Sequence, residues 1–157
     1  MARSNIYEAG AAAILELFAD FVDGNEGKAA LAVGSKPLGQ APRLAIGKTL
    51  ESFGYGRDAC TFAALGAKDP DVEGGDAKLD PQSLFLLVEA LDPLLFIVAD
   101  EACAHVVAQA YRTGFNPDEP TRIFGRPTVV FADFEALLET DEGKQKAWSL
   151  LKSLPKR

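Results

Sequence analysis

RIFGRPTVVFADFEALL, Arg122 to Leu138, is the stretch that decides the fold reading, because a strand runs directly into a helix there. Thr128-Val129-Val130-Phe131 is an apolar run of strand length, rich in β-branched residues. Ala132-Asp133 follows, and a helical pattern begins behind it. The arrangement occurs once before. Leu94-Leu95-Phe96-Ile97-Val98 leads into Ala99-Asp100 and a second helical segment. Ligands of open α/β sheets sit at such strand-to-helix junctions. Here the junctions offer Asp100 and Asp133, two carboxylates that could form an acid/base pair, although helix capping explains both with fewer assumptions.

Working outward, the remaining segments alternate in the same way. Apolar spacing through Tyr7, Ala11, Ile14, Leu15, Phe18 and Phe21 predicts a one-faced helix over Ile6–Val22, stopped at Asp23-Gly24-Asn25. Ala29–Val33 is a first strand, and Ser35–Pro42 a loop with several breakers. Leu44–Phe53 is helical with Gly54 as its stop, and Ala59–Leu65 is a strand. Gly66–Lys78 has loop composition, with Asp69-Pro70 and Gly74-Gly75. Asp80-Pro81 is a strong helix start, with apolar positions at Leu84, Leu87, Val88 and Leu91 before Asp92-Pro93 ends it. Glu101–Arg112 is helical and Asn116–Pro120 a loop.

A hairpin with Gly125-Arg126 as its turn precedes the last strand. A short helix and a longer one, about Asp141 to Leu154, close the chain, with Ala147, Trp148, Leu151 and Leu154 on the apolar face. Short, almost wholly apolar strands between helices indicate a sheet buried on both sides. The expectation is one α/β domain over residues 1–157. It is a three-layer αβα sandwich on a mainly parallel sheet of about four strands, with residues 1–28 supplying an N-terminal helix that packs on it.

Composition narrows the function classes. The net charge of −7 disfavours broad nucleic-acid binding, which relies on many cations at phosphates. The basic residues near the end, Lys144, Lys146, Lys152, Lys156 and Arg157, read as a solvated face and tail. Cys60 and Cys103 belong to no Cys-x-x-Cys or Cys/His cluster, so no metal or cluster site is implied, and buried reduced thiols are the default. No apolar run approaches membrane-spanning length, and the acidic N-terminal segment lacks a cleavage pattern. A cytoplasmic protein without cofactor follows as the expectation. His105, the single histidine, stands in a helix without a partner base and reads as a surface residue. Tyr55 and Arg57 read as turn residues, although the guanidinium could take a partner's phosphate or carboxylate.

Three segments together resemble the uracil-DNA glycosylase superfamily, especially its thermostable-type bacterial and archaeal branch. They are LAIGKTLESFGYGRDACTFAAL (44–65), LDPQSLFLLVEALDPLLFIVADEACAHVVAQAY (79–111) and FGRPTVVFADFEALLETDEGKQKAWSLLKSL (124–154). The likeness runs from about Ala29 to Leu154 and implies that family's fold. It places a nucleotide-binding loop at Gly34-Ser35-Lys36-Pro37-Leu38-Gly39-Gln40, where Gly and Pro survive but no carboxylate stands to activate water.

The family's base-reading Asn falls on Phe62, whose ring has no donor or acceptor for a pyrimidine edge. Its His-Pro-Ser motif falls on Asp133-Phe134-Glu135, where an ionised Asp would oppose charge building on a departing base. The branch's cluster-binding cysteines have no counterparts. The resemblance therefore implies the scaffold without its catalytic residues, and a candidate ligand pocket at Gly34, Ser35, Lys36, Gln40, Phe62, Asp133 and Glu135. No catalytic residue is assigned. Two alternatives stand beside this reading: a divergent glycosylase for another damaged base, and an unrelated nucleotide- or metabolite-binding α/β protein. Partner and oligomeric state are not legible in the sequence.

Overall fold

In the computed structural model, which describes residues 2–67 and 77–157, helices cover both faces of one six-stranded sheet. The loop expected at Gly66–Lys78 lies largely outside those residues. So does the side chain of Tyr7. What is described there is the bridge Gly66↔Lys78, with the Leu79 amide donating to the Leu65 carbonyl at 2.8 Å.

The strands are β1 (Val22–Asp23), β2 (Ala30–Gly34), β3 (Cys60–Ala64), β4 (Leu95–Val98), β5 (Glu119–Ile123) and β6 (Arg126–Val130). Their order across the sheet is β1-β3-β2-β4-β6-β5. The pairings β3·β2, β2·β4 and β4·β6 are parallel, whereas β1 and β5 add antiparallel edges. The sheet is thus mixed and two strands wider than the expected four.

The helices are α1 (Ala2–Leu17), α2 (Gln40–Ser52), α3 (Pro81–Leu91), α4 (Glu101–Tyr111), α5 (Phe134–Leu137) and α6 (Asp141–Leu151). One core packs Ile46 and Leu50 of α2, Phe134 of α5 and Ala147 and Leu151 of α6 against Ala30, Ala32, Leu95, Ile97 and Val129. The other packs Leu84 and Val88 of α3 and Cys103 and Val107 of α4 against Leu31, Val33, Phe96, Val98 and Val130. Successive strand residues point to opposite sides. Because both sides are covered, the central strands β2 and β4 read as continuous apolar runs rather than as alternation. Ile14, Leu15, Phe18 and Phe21 pack on the second core.

Several boundaries differ from the sequence reading. The first helix ends at Leu17, and a 3-10 turn (Ala19–Phe21) leads into β1, where Val22 pairs with Ala63. Two residues of strand carry too little periodicity to be distinguished from a helix end. α2 starts at Gln40, because Pro42 sits in its first turn, where a missing N–H costs no helical bond. The stretch Asn116–Pro120 is strand from Glu119 onward, since the edge of a sheet tolerates Pro120.

The hairpin turn is Phe124-Gly125, one residue earlier than expected. Both have positive φ (51° and 79°), as a two-residue turn matched to strand twist requires. Arg126 is thereby placed in β6. Its guanidinium bonds Glu89 and Asp92, both at 2.9 Å, and the Pro93 carbonyl at 2.6 Å. Phe124 tolerates its left-handed backbone while its ring meets Tyr111 edge-on at 4.9 Å.

Trp148 is the other correction. It is 43% exposed rather than part of the core, and Leu150 occupies the buried position instead.

α6 packs unusually close to the end of α5. A Cβ at Gly143 would overlap the Leu137 carbonyl, whereas one at Gly47, inside α2, would meet nothing within 4 Å. Gly143→Ala is expected to lower stability by about 1–3 kcal/mol through forced overpacking. Gly47→Ala is expected to raise it by roughly 0.5–1 kcal/mol through helix propensity. Urea unfolding of the two variants checks both signs.

Candidate functional site

The chain runs from β2 through α2 to β3 on one side, then crosses to β4 on the other side of β2. The switch point is the gap between β2 and β4 beyond their C-terminal ends, where an open α/β sheet takes its ligand. Gly34-Ser35 borders it from β2 and Asp100 from β4. Asp133, at the end of β6, bridges to Asp100.

Asp100 fills this gap itself. Its Oδ2 accepts from the Ser35 amide at 2.8 Å and from the Ser35 hydroxyl at 2.9 Å. Its Oδ1 accepts from the Cys103 amide at 2.8 Å, capping α4. One carboxylate therefore ties the first loop to the helix that follows β4. The backbone behind it is knitted just as closely. Ala99 donates to the Val33 carbonyl at 2.9 Å, Glu101 to the Ala132 carbonyl at 3.0 Å and Phe134 to the Ala99 carbonyl at 2.9 Å.

The loop is held at its other end too. Glu135 Oε1 accepts from the Gly39 amide at 2.8 Å, at the N-terminus of α2, which has no capping side chain of its own. A helix N-terminus with free amides is a ready anion site. Here the protein's own carboxylate takes the place of the anion. Asp133 is likewise committed, accepting from the Ala136 amide at 3.1 Å as the cap of α5. Asp80 and Thr140 cap α3 and α6 in the same manner.

The predicted site residues thus fall into three groups. Gly34, Ser35 and Asp133 are gathered at the switch point around Asp100, and Glu135 reaches the neighbouring end of the loop. Lys36 and Gln40 are exposed, Lys36 on the loop and Gln40 on the first turn of α2. Gly34 has backbone behind it, since a Cβ there would lie 2.9 Å from the Lys36 carbonyl.

Phe62 is not part of the cluster. It sits in mid-strand opposite Ala32, and the Arg43 guanidinium lies over its ring at 4.7 Å. β3 and β6 are separated by two strands, about 14 Å at ~4.8 Å per strand, so Phe62 and Asp133 do not share a pocket.

The two carboxylates at the strand ends act as caps and not as a free acid/base pair. Among the described residues, no buried side-chain nitrogen or oxygen is left unpaired, and no group of three or more His, Cys, Asp or Glu is placed to hold a metal. His105 is exposed. Arg57 pairs with Glu51 at 3.1 Å on the exposed surface, and the Tyr55 hydroxyl donates to the Pro155 carbonyl at 2.6 Å.

Sequence reasoning missed the pairing of the buried Arg126 with Glu89 and the exposed Asp92, and the tie from Asp100 to Ser35. The arginine is separated from its carboxylates by more than thirty residues, and no local pattern announces such a pairing.

Both cysteines are buried and unbridged, one in each core. Burial pushes the Cys60 thiol up to about 12 and raises Cys103 as well. A thiolate is the reactive form, so neither cysteine is equipped as a nucleophile.

Compared with known proteins, the chain matches no family model and no curated protein.

Asp100→Ala should lower stability by about 2–3 kcal/mol, a lost cap plus two lost loop bonds, and Ser35→Ala by about 1 kcal/mol. A double-mutant cycle by urea unfolding should show coupling of roughly 1 kcal/mol, and strict additivity would remove the tie.

The thiols should resist a disulfide reagent at pH 8 until the protein is unfolded. Each has a folded pKa above its unfolded value of about 8.5. Their contribution is therefore complete below that pH and lost as pH rises toward 12. Stability measured from pH 8 upward should fall, and a flat profile would contradict the assignment.

Proposed function

We propose that this chain is a glycosylase-like α/β domain that acts by binding or assembly and does not excise bases. The observation that carries the reading is the commitment of the switch point to internal bonds. Asp100 takes the Ser35 amide and hydroxyl, and Glu135 takes the Gly39 amide. Base excision needs a polar group that positions water and a donor that meets the negative charge on the leaving base. Ser35 is turned toward Asp100, so it is not aimed at a water. The position of the family's histidine holds Asp133, an acceptor that caps α5.

The parallel order β3-β2-β4-β6 with helices on both faces supports the likeness to the uracil-DNA glycosylase fold. The antiparallel edges β1 and β5 are additions to that core. The net charge of −7 supports a partner other than a nucleic-acid backbone.

The test is base release from single- and double-stranded oligonucleotides carrying uracil, with a panel of other damaged bases beside it. No release above the enzyme-free background is expected, and no affinity that falls steeply with salt. Release at enzymatic rates, lost on changing Lys36 or Gln40, would overturn the proposal and favour a divergent glycosylase.

A further inference from the structure

Away from the switch point, α2 and α6 flank a hollow of about 480 Å³. None of the Gly34–Gln40 loop, Asp133 or Glu135 lines it. Phe134, Ala147 and Leu151 lie beneath it, all but closed to solvent, and Phe134 is stacked on Phe131 at 4.3 Å. On the α2 side the wall is Ala41 and Ala45, side chains too short to close the gap. At the rim, Leu44 and Trp148 are 52% and 43% exposed, large apolar side chains left facing solvent. The volume falls in the range of small-molecule sites, about 300–1,000 Å³, which are mostly apolar with a few polar groups placed to orient the ligand.

The polar groups here are cations. Lys48 follows Leu44 by one turn on α2, and Lys144 precedes Trp148 by one turn on α6, so the two reach the hollow from opposite walls. Neither ammonium group takes part in a hydrogen bond or ion pair among the described residues, unlike the side chains of Lys28, Arg43, Arg57, Arg126 and Lys146. Lys152 lies over the Trp148 ring at 5.9 Å and Lys156 over Phe53 at 5.6 Å, adding positive charge to the same face. In a chain of net charge −7 this is a local reversal of sign. An apolar cavity with two uncommitted ammonium groups at its mouth is complementary to a molecule with an apolar body and a single anionic head.

We propose that this hollow binds a small amphipathic anion, a medium-chain or aromatic carboxylate. The apolar body lies along Ala41, Leu44 and Ala45 and against Trp148, above the buried Phe134, and the carboxylate lies between Lys48 and Lys144. A polyanion such as nucleic acid is a poor match, because the cavity surface is apolar and offers only two lining cations. The proposal uses no residue of the switch point, so it stands or falls separately from the absence of base excision.

Trp148 is the chain's single tryptophan and reports directly on the hollow. The full chain is titrated with decanoate below its micelle concentration, following Trp148 fluorescence and, in parallel, heat by calorimetry. Saturable one-site binding is expected, with decan-1-ol binding at least ten-fold more weakly. The double variant Lys48→Gln, Lys144→Gln changes only exposed side chains and should weaken decanoate at least five-fold with an unchanged circular dichroism spectrum. Ala45→Leu, which fills the hollow, should weaken acid and alcohol alike. The proposal is overturned by absence of saturable binding in both readouts, or by equal affinity for acid and alcohol. Insensitivity to the lysine double variant would overturn it as well. So would sedimentation showing self-association that shields Trp148, because the hollow would then be a contact between copies of this chain.

Discussion

The bond between Asp100 and the loop after β2 is the constraint on which the rest of this molecule turns. At the one point where a doubly covered sheet opens toward a ligand, a side chain from the neighbouring strand end reaches across the gap. It caps its own helix with one oxygen and holds Ser35 with the other. Each bond is ordinary. Their convergence on one half-exposed carboxylate links β2, β4 and α4 into a unit, and the bridge to Asp133 carries that order on to β6 and α5. A carboxylate bonded by several donors is a stable structural element, and a weak candidate for work that requires it to change partners.

The same economy is visible at every helix start near this end of the sheet. Amides that elsewhere gather phosphate or a developing oxyanion are satisfied internally, by Glu135 at α2, Asp100 at α4 and Asp133 at α5. At these helix starts the named amides are therefore bonded within the chain. Unpaired positive charge and uncovered apolar surface lie instead on the flank, around Trp148 between α2 and α6. The ligand site proposed above lies along this helix pair.

Much of this was legible in the sequence, and the reasons are physical. Strands buried on both faces leave unbroken apolar runs, so β2, β3, β4 and β6 announced themselves. Asp80, Asp100 and Asp133 announced the helices behind them, because a short carboxylate before a helical pattern is the strongest local start signal. What escaped was set by partners distant in the chain. β1 is two residues long and exists only because β3 offers an edge. The hairpin places Arg126 in β6, where it pairs with Glu89 and Asp92, and no local turn preference encodes those partners. Trp148 fits a helical core position by spacing, yet the wall opposite it is built from alanines and leaves it at a rim. Among the candidate site residues, Ser35 and Asp133 lie at strand ends beside Asp100. Phe62 lies in mid-strand, where the Arg43 guanidinium covers its ring, a contact no local pattern encodes.

Amide hydrogen exchange at single-residue resolution, read at Ser35 and Gly39, tests the central claim most directly. Both amides sit in an irregular loop and would exchange quickly if that loop were a free ligand-binding segment. With Asp100 and Glu135 as acceptors they should be strongly protected, and protection at Ser35 should vanish in Asp100→Ala while the sheet amides of Leu31 and Ile97 keep theirs. Exchange at Ser35 and Gly39 as fast as in an unstructured peptide would contradict a switch point closed by the protein's own carboxylates.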